Sequence, residues 1–436
     1  MRESPDDAAS FFDEARLRVP PKSATPSSRE AFRPERVTGI SVFERSYHYK
    51  GFPARWAFRA VDLMGETFFR KTRERPQAIR RVLLIRPDHI GDVVCTLPAI
   101  HALRESLPDA QIDLLIRSSA RSLFWDMDEE LGGVDFLVFN ASWRDRTKRK
   151  KFGFLSMSRL RRLLRLRTEE IGGFYDLAVD FAGDFQSIIA ARLAGVRYLV
   201  GRGIRGFGFG LDVEAEEFPE RHQVEFNLDM LEHAGLGPFE TKNPALTVSE
   251  EELAEGRACI ASLTEDPSGS FIGIHPGAGG RERIWSPKLY GELISRVVST
   301  LPVRVLLLGG AGDRPIVDET LKSMRGVRVR GTILDMCEKV QNLRSLMGVM
   351  KACRLYIGND TGFTHLAAAS GARTVMLMGA TDPLRYAPYA RDSLAVWIRD
   401  TRVQSYSAAQ PDPRDWPDIG KSVELAVSQI IKNLGD

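Results

Sequence analysis

From Arg81 onward, short runs of β-branched and aliphatic residues alternate with segments whose apolar residues recur at helical spacing. RVLLI, QIDLLI, VDFLVF, YDLAVDF and VRYLVG read as strands buried on both faces, with IGDVVCTLPAIHALRESL and SIIAARLAG as helices between them. The order returns in the second half. FIGIHPG, VRVLLLGG, VRVRG, RLYIGND and TVMLMGA are strands; WSPKLYGELISRVVSTL, LRSLMGVMKA and FTHLAAASG are helices. Strands separated by helices return parallel to one another, which is the doubly wound α/β pattern. The chain has 436 residues, more than one core usually holds. The expectation is two Rossmann-like domains, 79–245 and 268–395, facing each other across a cleft, with the polar stretch 238–268 as linker.

Outside these domains the pattern changes. Residues 1–35, with PPKSATPSSRE at their centre, are too polar to offset the entropy of ordering and read as a disordered tail. Residues 36–78 form a helical extension. In it Trp56, Phe58, Val61, Leu63, Met64 and Phe68 suit a helix packed on the first domain or one lying on a membrane surface. Residues 396–436 read as a C-terminal tail and helix.

Hydrophobic content of 43% and charged content of 27% are those of a globular protein, and a net charge of +3 argues against a dedicated nucleic-acid binder. One basic insert stands apart: residues 144–167 hold eleven Lys and Arg against one Asp. It reads as a solvated helix face, or as a surface for anionic lipid headgroups or a phosphorylated acceptor. It lacks the interleaved aromatics of an RNA-stacking platform. The four cysteines are far apart and suggest neither a disulfide framework nor a zinc site, so a reducing compartment fits. The start, MRESPDDAAS, is unlike a signal peptide, and no apolar run approaches the roughly 20 residues needed to cross a bilayer. The expectation is a cytoplasmic protein with at most peripheral membrane contact.

Four segments carry chemistry. In RVLLIRPDHIGDVVCTLPAI a strand runs into a helix near Asp92, at the edge where doubly wound sheets collect ligands. Asp92 there is either a general base or a helix cap. In RLYIGNDTGFTHLAAASG, Asn359, Asp360, Thr361 and Gly362 open a helix whose free N–H groups suit a pyrophosphate; Asp360 also suits the cap position, and His365 points to the phosphates or into the core. FIGIHPGAGGRERIWSP is a glycine-rich loop, with Gly277 and Gly279 beside the cations Arg281 and Arg283. In LLLGGAGDRP, Asp313 follows a strand and is a candidate for a ribose hydroxyl.

The ordered set RPDHIGDVVCTLPA, HPGAGGRERIWSP and GNDTGFTHLAAASGARTVMLMGATDP resembles glycosyltransferase family 9, the lipopolysaccharide heptosyltransferases, from about Arg81 to Tyr389. The resemblance implies the two-Rossmann GT-B fold and an inverting reaction that needs no metal. The donor it implies is a nucleotide diphosphate sugar, with adenine as the base by family habit, and the acceptor it implies is a hydroxyl of lipopolysaccharide or another surface glycan. Asp92 matches the catalytic base, and Asp360, Thr361, Gly362 and His365 match the segment holding the donor diphosphate. Asp313 lies near the ribose-binding acid, commonly Glu in the family, and Arg283 stands where the family carries Lys. Two alternatives accompany this reading: a different nucleotide sugar used in exopolysaccharide synthesis, and a non-catalytic nucleotide-sugar-binding scaffold at the membrane.

Overall fold

The computed structural model describes residues 52–68, 73–124, 131–144, 153–216, 221–324, 333–340, 342–399, 402–406 and 425–427. Two compact units emerge, one within Ala31–Pro244 and the other within Ala245–Asp436. The expected tail 1–35 and the strand VRVRG fall outside the described residues.

The first unit begins with α1 (Phe52–Phe68), followed by β1 (Arg81–Ile85), α2 (Ile90–Val94), α3 (Leu97–Ser106), β2 (Gln111–Ile116), α4 (Ser118–Arg121) and β3 (Val134–Val138). It continues through α5 (Gly153–Glu170), β4 (Leu177–Asp180), α6 (Phe185–Leu193), β5 (Tyr198–Gly201), β6 (Val213–Glu214) and α7 (Gln223–His233). The strands lie in the order β3-β2-β1-β4-β5-β6, all parallel. The winding reverses between β1 and β4, so the loops after those two strands open a crevice. Leu160 and Leu164 of α5 share a core with Ile188, Ala190 and Ala191 of α6 and with Leu83 and Ile85 of β1. α1 meets this layer at the start of α6, where the Phe58 and Phe185 rings lie 5.3 Å apart at a tilt of 45°. Gly65 is needed there, because a methyl group would sit 2.2 Å from the Phe209 ring.

The second unit comprises α8 (Glu250–Ala261), β7 (Phe271–His275), α9 (Pro287–Thr300), β8 (Arg304–Leu307), α10 (Arg314–Ser323), β9 (Ile333–Asp335) and α11 (Leu343–Ala352). After these come β10 (Leu355–Asn359), α12 (Gly362–Ala369), β11 (Thr374–Met378), α13 (Pro383–Tyr386), β12 (Ser393–Arg399) and β13 (Arg402–Tyr406). Its sheet order is β13-β12-β11-β10-β7-β8-β9, parallel except for the closing β12–β13 pair. Here the reversal falls between β7 and β10, paired in register from Leu355 with Ile272 to Gly358 with His275.

The structure corrects three readings. The stretch 238–268 is not merely a linker. It carries α8, started by a reciprocal Ser249–Glu252 capping box and packed on α11. Residues 153–167 are not an insert; they are the crossover helix α5 joining β3 to β4, and two of the basic cluster's arginines turn inward. Arg167 is bidentate to buried Asp113 at 2.9 Å, and Arg144 pairs with Asp88 and Asp184. Residues 396–406 are not tail, because β12 buries Leu394, Ala395 and Val396 in the sheet and β13 pairs with it. Among the described residues no helix is long and apolar enough to cross a membrane.

Candidate active site

At the β7/β10 reversal of the second unit, the chain leaves β10 at Asn359, which is fully buried. Its Nδ2 donates to the carbonyls of Pro276 (2.8 Å) and Gly277 (3.1 Å). Its Oδ1 accepts from the Tyr290 hydroxyl (2.9 Å) and the Trp285 N–H (3.2 Å). One amide thus fastens the glycine-rich loop after β7 to the turn that begins α12.

Thr361, not Asp360, occupies the N-cap position of α12. The N–H groups of Gly362 and Phe363 find no backbone acceptor among the described residues, which leaves donors and the positive end of the helix dipole for an anion. The Thr361 hydroxyl lies 3.3 Å from that of Thr364, which donates to the Asn359 carbonyl at 2.6 Å. The buried Asp360 carboxylate accepts from the Thr381 hydroxyl at 2.5 Å and lies 3.6 Å from the Arg283 guanidinium. Arg283 also donates to the Asp360 carbonyl at 3.3 Å. Asp360 therefore holds a cation against the helix end. His365 is buried in the first turn of α12.

Gly277 leaves room for the Asp313–His275 pair: a methyl group would lie 2.1 Å from Asp313 Oδ1 and 2.9 Å from His275 Nε2, so those side chains would have to move. Gly279 approaches Arg283, whose Nη2 would be 4.0 Å from such a group. Asp313 Oδ2 accepts from the Gly310 N–H at 3.0 Å and faces His275 Nε2 at 3.2 Å. Burial works to raise the Asp313 pKa, but the His275 bond and the Gly310 N–H hold it below the usual carboxylate value.

Beside these residues lies a cavity of about 380 Å³. Leu308, Met336, Leu346, Met350, Tyr356 and Phe363 give it apolar walls, and His275, Glu338, Asn342 and the backbone from Gly309 to Ala311 give it polar edges. Glu338 adopts the left-handed conformation, φ 65°, uncommon for a residue with a side chain. The His275 ring meets the Phe363 ring edge-on at 5.3 Å. Phe363 is thus shared between the cavity wall and the N-terminal end of α12.

Asp92 lies in the first unit, just beyond β1 at the β1/β4 reversal. The N-cap of α2 is His89, so Asp92 is not the cap. Its carboxylate is half-buried with no hydrogen-bond partner among the described residues. Its carbonyl accepts from Arg86 Nε (3.2 Å) and the Thr96 hydroxyl (2.8 Å). Arg86 is itself buried and reaches Asp88 at 3.3 Å and the Phe181 carbonyl at 2.8 Å. Burial tends to lower the Arg144 pKa, but Asp88, Asp184 and, more weakly, Asp92 raise it above its ordinary value. Next to this network, Asp180 is pushed up to about 7 by burial first and by the charge of Asp184 second.

The residues singled out in the second half, Gly277, Gly279, Arg283, Asp313, Asp360, Thr361, Gly362 and His365, all lie on the loops of one sheet edge or the helix that follows. Sequence reasoning passed over His275 and Thr381, and it placed Asn359 in the segment that opens the helix without giving it a role of its own. His275 and Asn359 each end a strand at the reversal, which is a readable signal; Thr381 has none. No group of three or more His, Cys, Asp or Glu positioned to hold a metal ion occurs among the described residues.

The profile of glycosyltransferase family 9 (heptosyltransferase) matches residues 163–411. Lipopolysaccharide heptosyltransferase 2 of Escherichia coli (strain K12) is 25% identical over 312 residues, covering 70% of this chain and 84% of that protein. The crystal structure of a glycosyl transferase family 9 protein from Veillonella parvula DSM 2008 has a TM-score of 0.61 at 20% identity, over 75% of this chain and 88% of its own. The structure of the E. coli ADP-heptose lps heptosyltransferase II has a TM-score of 0.59 at 20% identity, over 82% of this chain and 100% of its own. At such identities the solved structures speak to the fold, which is of the two-Rossmann GT-B class.

Proposed function

Because the chain belongs to glycosyltransferase family 9 and is a glycosyltransferase, we propose that it moves a heptose or related sugar from an ADP-linked donor to a hydroxyl of a lipopolysaccharide acceptor. The transfer inverts the anomeric centre and needs no metal. The observation that carries this reading is the meeting of an anion-binding helix end with an apolar cavity. Phe363 lines a space suited to a nucleoside, and the helix end that carries it also carries Thr361, free N–H groups and the Arg283 guanidinium bonded to the Asp360 carbonyl.

In the proposed reaction the acceptor hydroxyl gives its proton to the Asp92 carboxylate as its oxygen bonds to the anomeric carbon. The bond from that carbon to the donor phosphate breaks, and the electron pair leaves with the diphosphate. The N–H groups of α12, the Thr361 hydroxyl and the Arg283 guanidinium meet the departing charge; preorganised donors of this kind are worth about 3–4 kcal/mol each. Gly277 and Gly279 let the loop backbone approach the diphosphate. His365, one turn into α12, lies behind this site. Asp313, oriented by His275, takes a ribose hydroxyl. This assignment places the protein at the cytoplasmic face of a membrane, where a glycolipid acceptor would be met.

The test is donor turnover by mass spectrometry, run with a chelator present. ADP-heptose is consumed with release of ADP, and Asp92→Ala retains donor binding while losing about 10²–10⁴-fold in kcat. Activity of that variant within a few-fold of the parent removes Asp92 from the base role. Arginine at 283, where the family carries lysine, supports a second reading, in which a different nucleotide sugar is used for exopolysaccharide synthesis. Consumption of a hexose donor but not of ADP-heptose selects it, whereas binding without ADP release identifies a non-catalytic scaffold.

A further inference from the structure

α5 packs on α6, α1 packs on the turn at Gly208–Gly210 with Phe58 against Phe185 at the start of α6, and the outward arcs of α1 and α5 are not ordinary solvated faces. On α1 the inward positions are Phe58, Asp62 and Gly65, and the outward arc carries Trp56, Leu63, Met64 and Phe68 without a charge among them. These four are 50%, 47%, 54% and 76% exposed. On α5 the inward Leu160 and Leu164 fill the core, and the opposite arc presents Arg159, Arg161, Arg162 and Arg165 between the exposed Leu155 and Leu166. No acid interrupts that arc before Glu169, which pairs with Arg165. Leu193 at the end of α6 is also 53% exposed.

Apolar side chains turned outward along one side of a helix need a cover. We propose that this three-helix layer docks on an anionic lipid bilayer. Trp56, Leu63, Met64 and Phe68 enter the boundary between headgroups and acyl chains, and Arg159, Arg161 and Arg162 face the lipid phosphates. Charge complementarity selects this occupant. A second copy seated by two-fold symmetry would bring two arginine arcs into one neighbourhood, where they repel. Arg144 and Arg167, whose charges are neutralised inside the unit, take no part. The docking is independent of the transfer chemistry.

Co-sedimentation of the full chain with vesicles tests it, using phosphatidylcholine alone or mixed with phosphatidylglycerol. Binding is expected to the anionic vesicles, weakening with salt. Arg159→Gln with Arg162→Gln lowers the partition coefficient more than tenfold, at about fivefold per arginine, and Trp56→Ser with Leu63→Ser lowers it as well. Wild-type melting and ADP binding show that each variant is folded. The arginine pair touches no core contact and keeps the test open if the apolar pair misfolds. Absence of binding, equal binding to both vesicles, or unchanged binding by the folded arginine variant overturns the proposal. So does a concentration-dependent dimer abolished by Trp56→Ser, which gives the face to a second copy. Loss of vesicle binding with intact ADP release separates this result from any failure of the transferase reading.

Discussion

Asp180 shows how a single side chain ties the first unit's crevice to pH. It is fully buried, its Oδ1 accepts from the Ala182 (2.9 Å) and Gly183 (3.1 Å) N–H groups, and its Oδ2 has no partner among the described residues. A carboxyl whose folded pKa stands near 7, against an ordinary 3.8, binds its proton more tightly when folded. Its stabilising contribution is therefore complete below about pH 4 and is lost as pH rises through 7, at up to about 1.4 kcal/mol per pH unit. Asp180→Asn mimics the protonated form. The variant should melt close to the wild type at pH 4.5 and above it at pH 8, as followed by thermal unfolding at both values. Nothing in the local sequence YDLAVDF distinguishes this acid from any other strand-end aspartate. Its environment comes from Asp184 and from the β1 edge, nearly a hundred residues earlier in the chain. The fastening role of Asn359 was hidden for the same reason, although its place at a strand end was readable, since the four partners of its side chain lie 69 to 83 positions away.

Elements were more legible than side chains where a helix or strand buries a regular stripe, and less so where it does not. α12 and α11 announce themselves by apolar spacing. α8 was read as linker because only Gly256 and Ile260 of its twelve residues are buried, leaving almost no stripe to see. The cap signal Ser249–Glu252 was nonetheless present in the sequence. α8 is held by backbone proximity: a methyl group on Gly256 would lie 2.3 Å from the Gly348 carbonyl carbon, and one on Gly348 would lie 2.0 Å from the Glu252 carbonyl oxygen. Arg344 adds a bridge to Glu252 at 2.5 Å. Gly256→Ala should force the helices apart and cost about 1–3 kcal/mol, read as a lower urea midpoint with an unchanged m-value. An unaltered midpoint would show that the contact relaxes freely.

Over the whole molecule, the alternation of strands and helices was enough to anticipate two doubly wound sheets, because a parallel sheet buried on both faces requires apolar runs at that spacing. It could not assign sheet order, which depends on crossovers and not on local composition. Knowing the order puts Asp92 at the β1/β4 reversal and the diphosphate candidates at the β7/β10 reversal. ADP should then protect the second unit alone. Hydrogen exchange is expected to slow at 276–283 and 360–365 and to stay unchanged at 86–96. At a hundred times its Kd, ADP stabilises the unit it binds by about 2.7 kcal/mol. Slowing confined to 86–96 would move the nucleotide site to the other unit.

Every described contact of Arg283, Asp313 and Asp360 comes from residues 275–381. If these residues hold the donor as proposed, donor preference is a modular trait, inheritable as one cassette. A chimera carrying this half on a relative's first half should import the taste for one sugar nucleotide while leaving the recipient's choice of acceptor where it was.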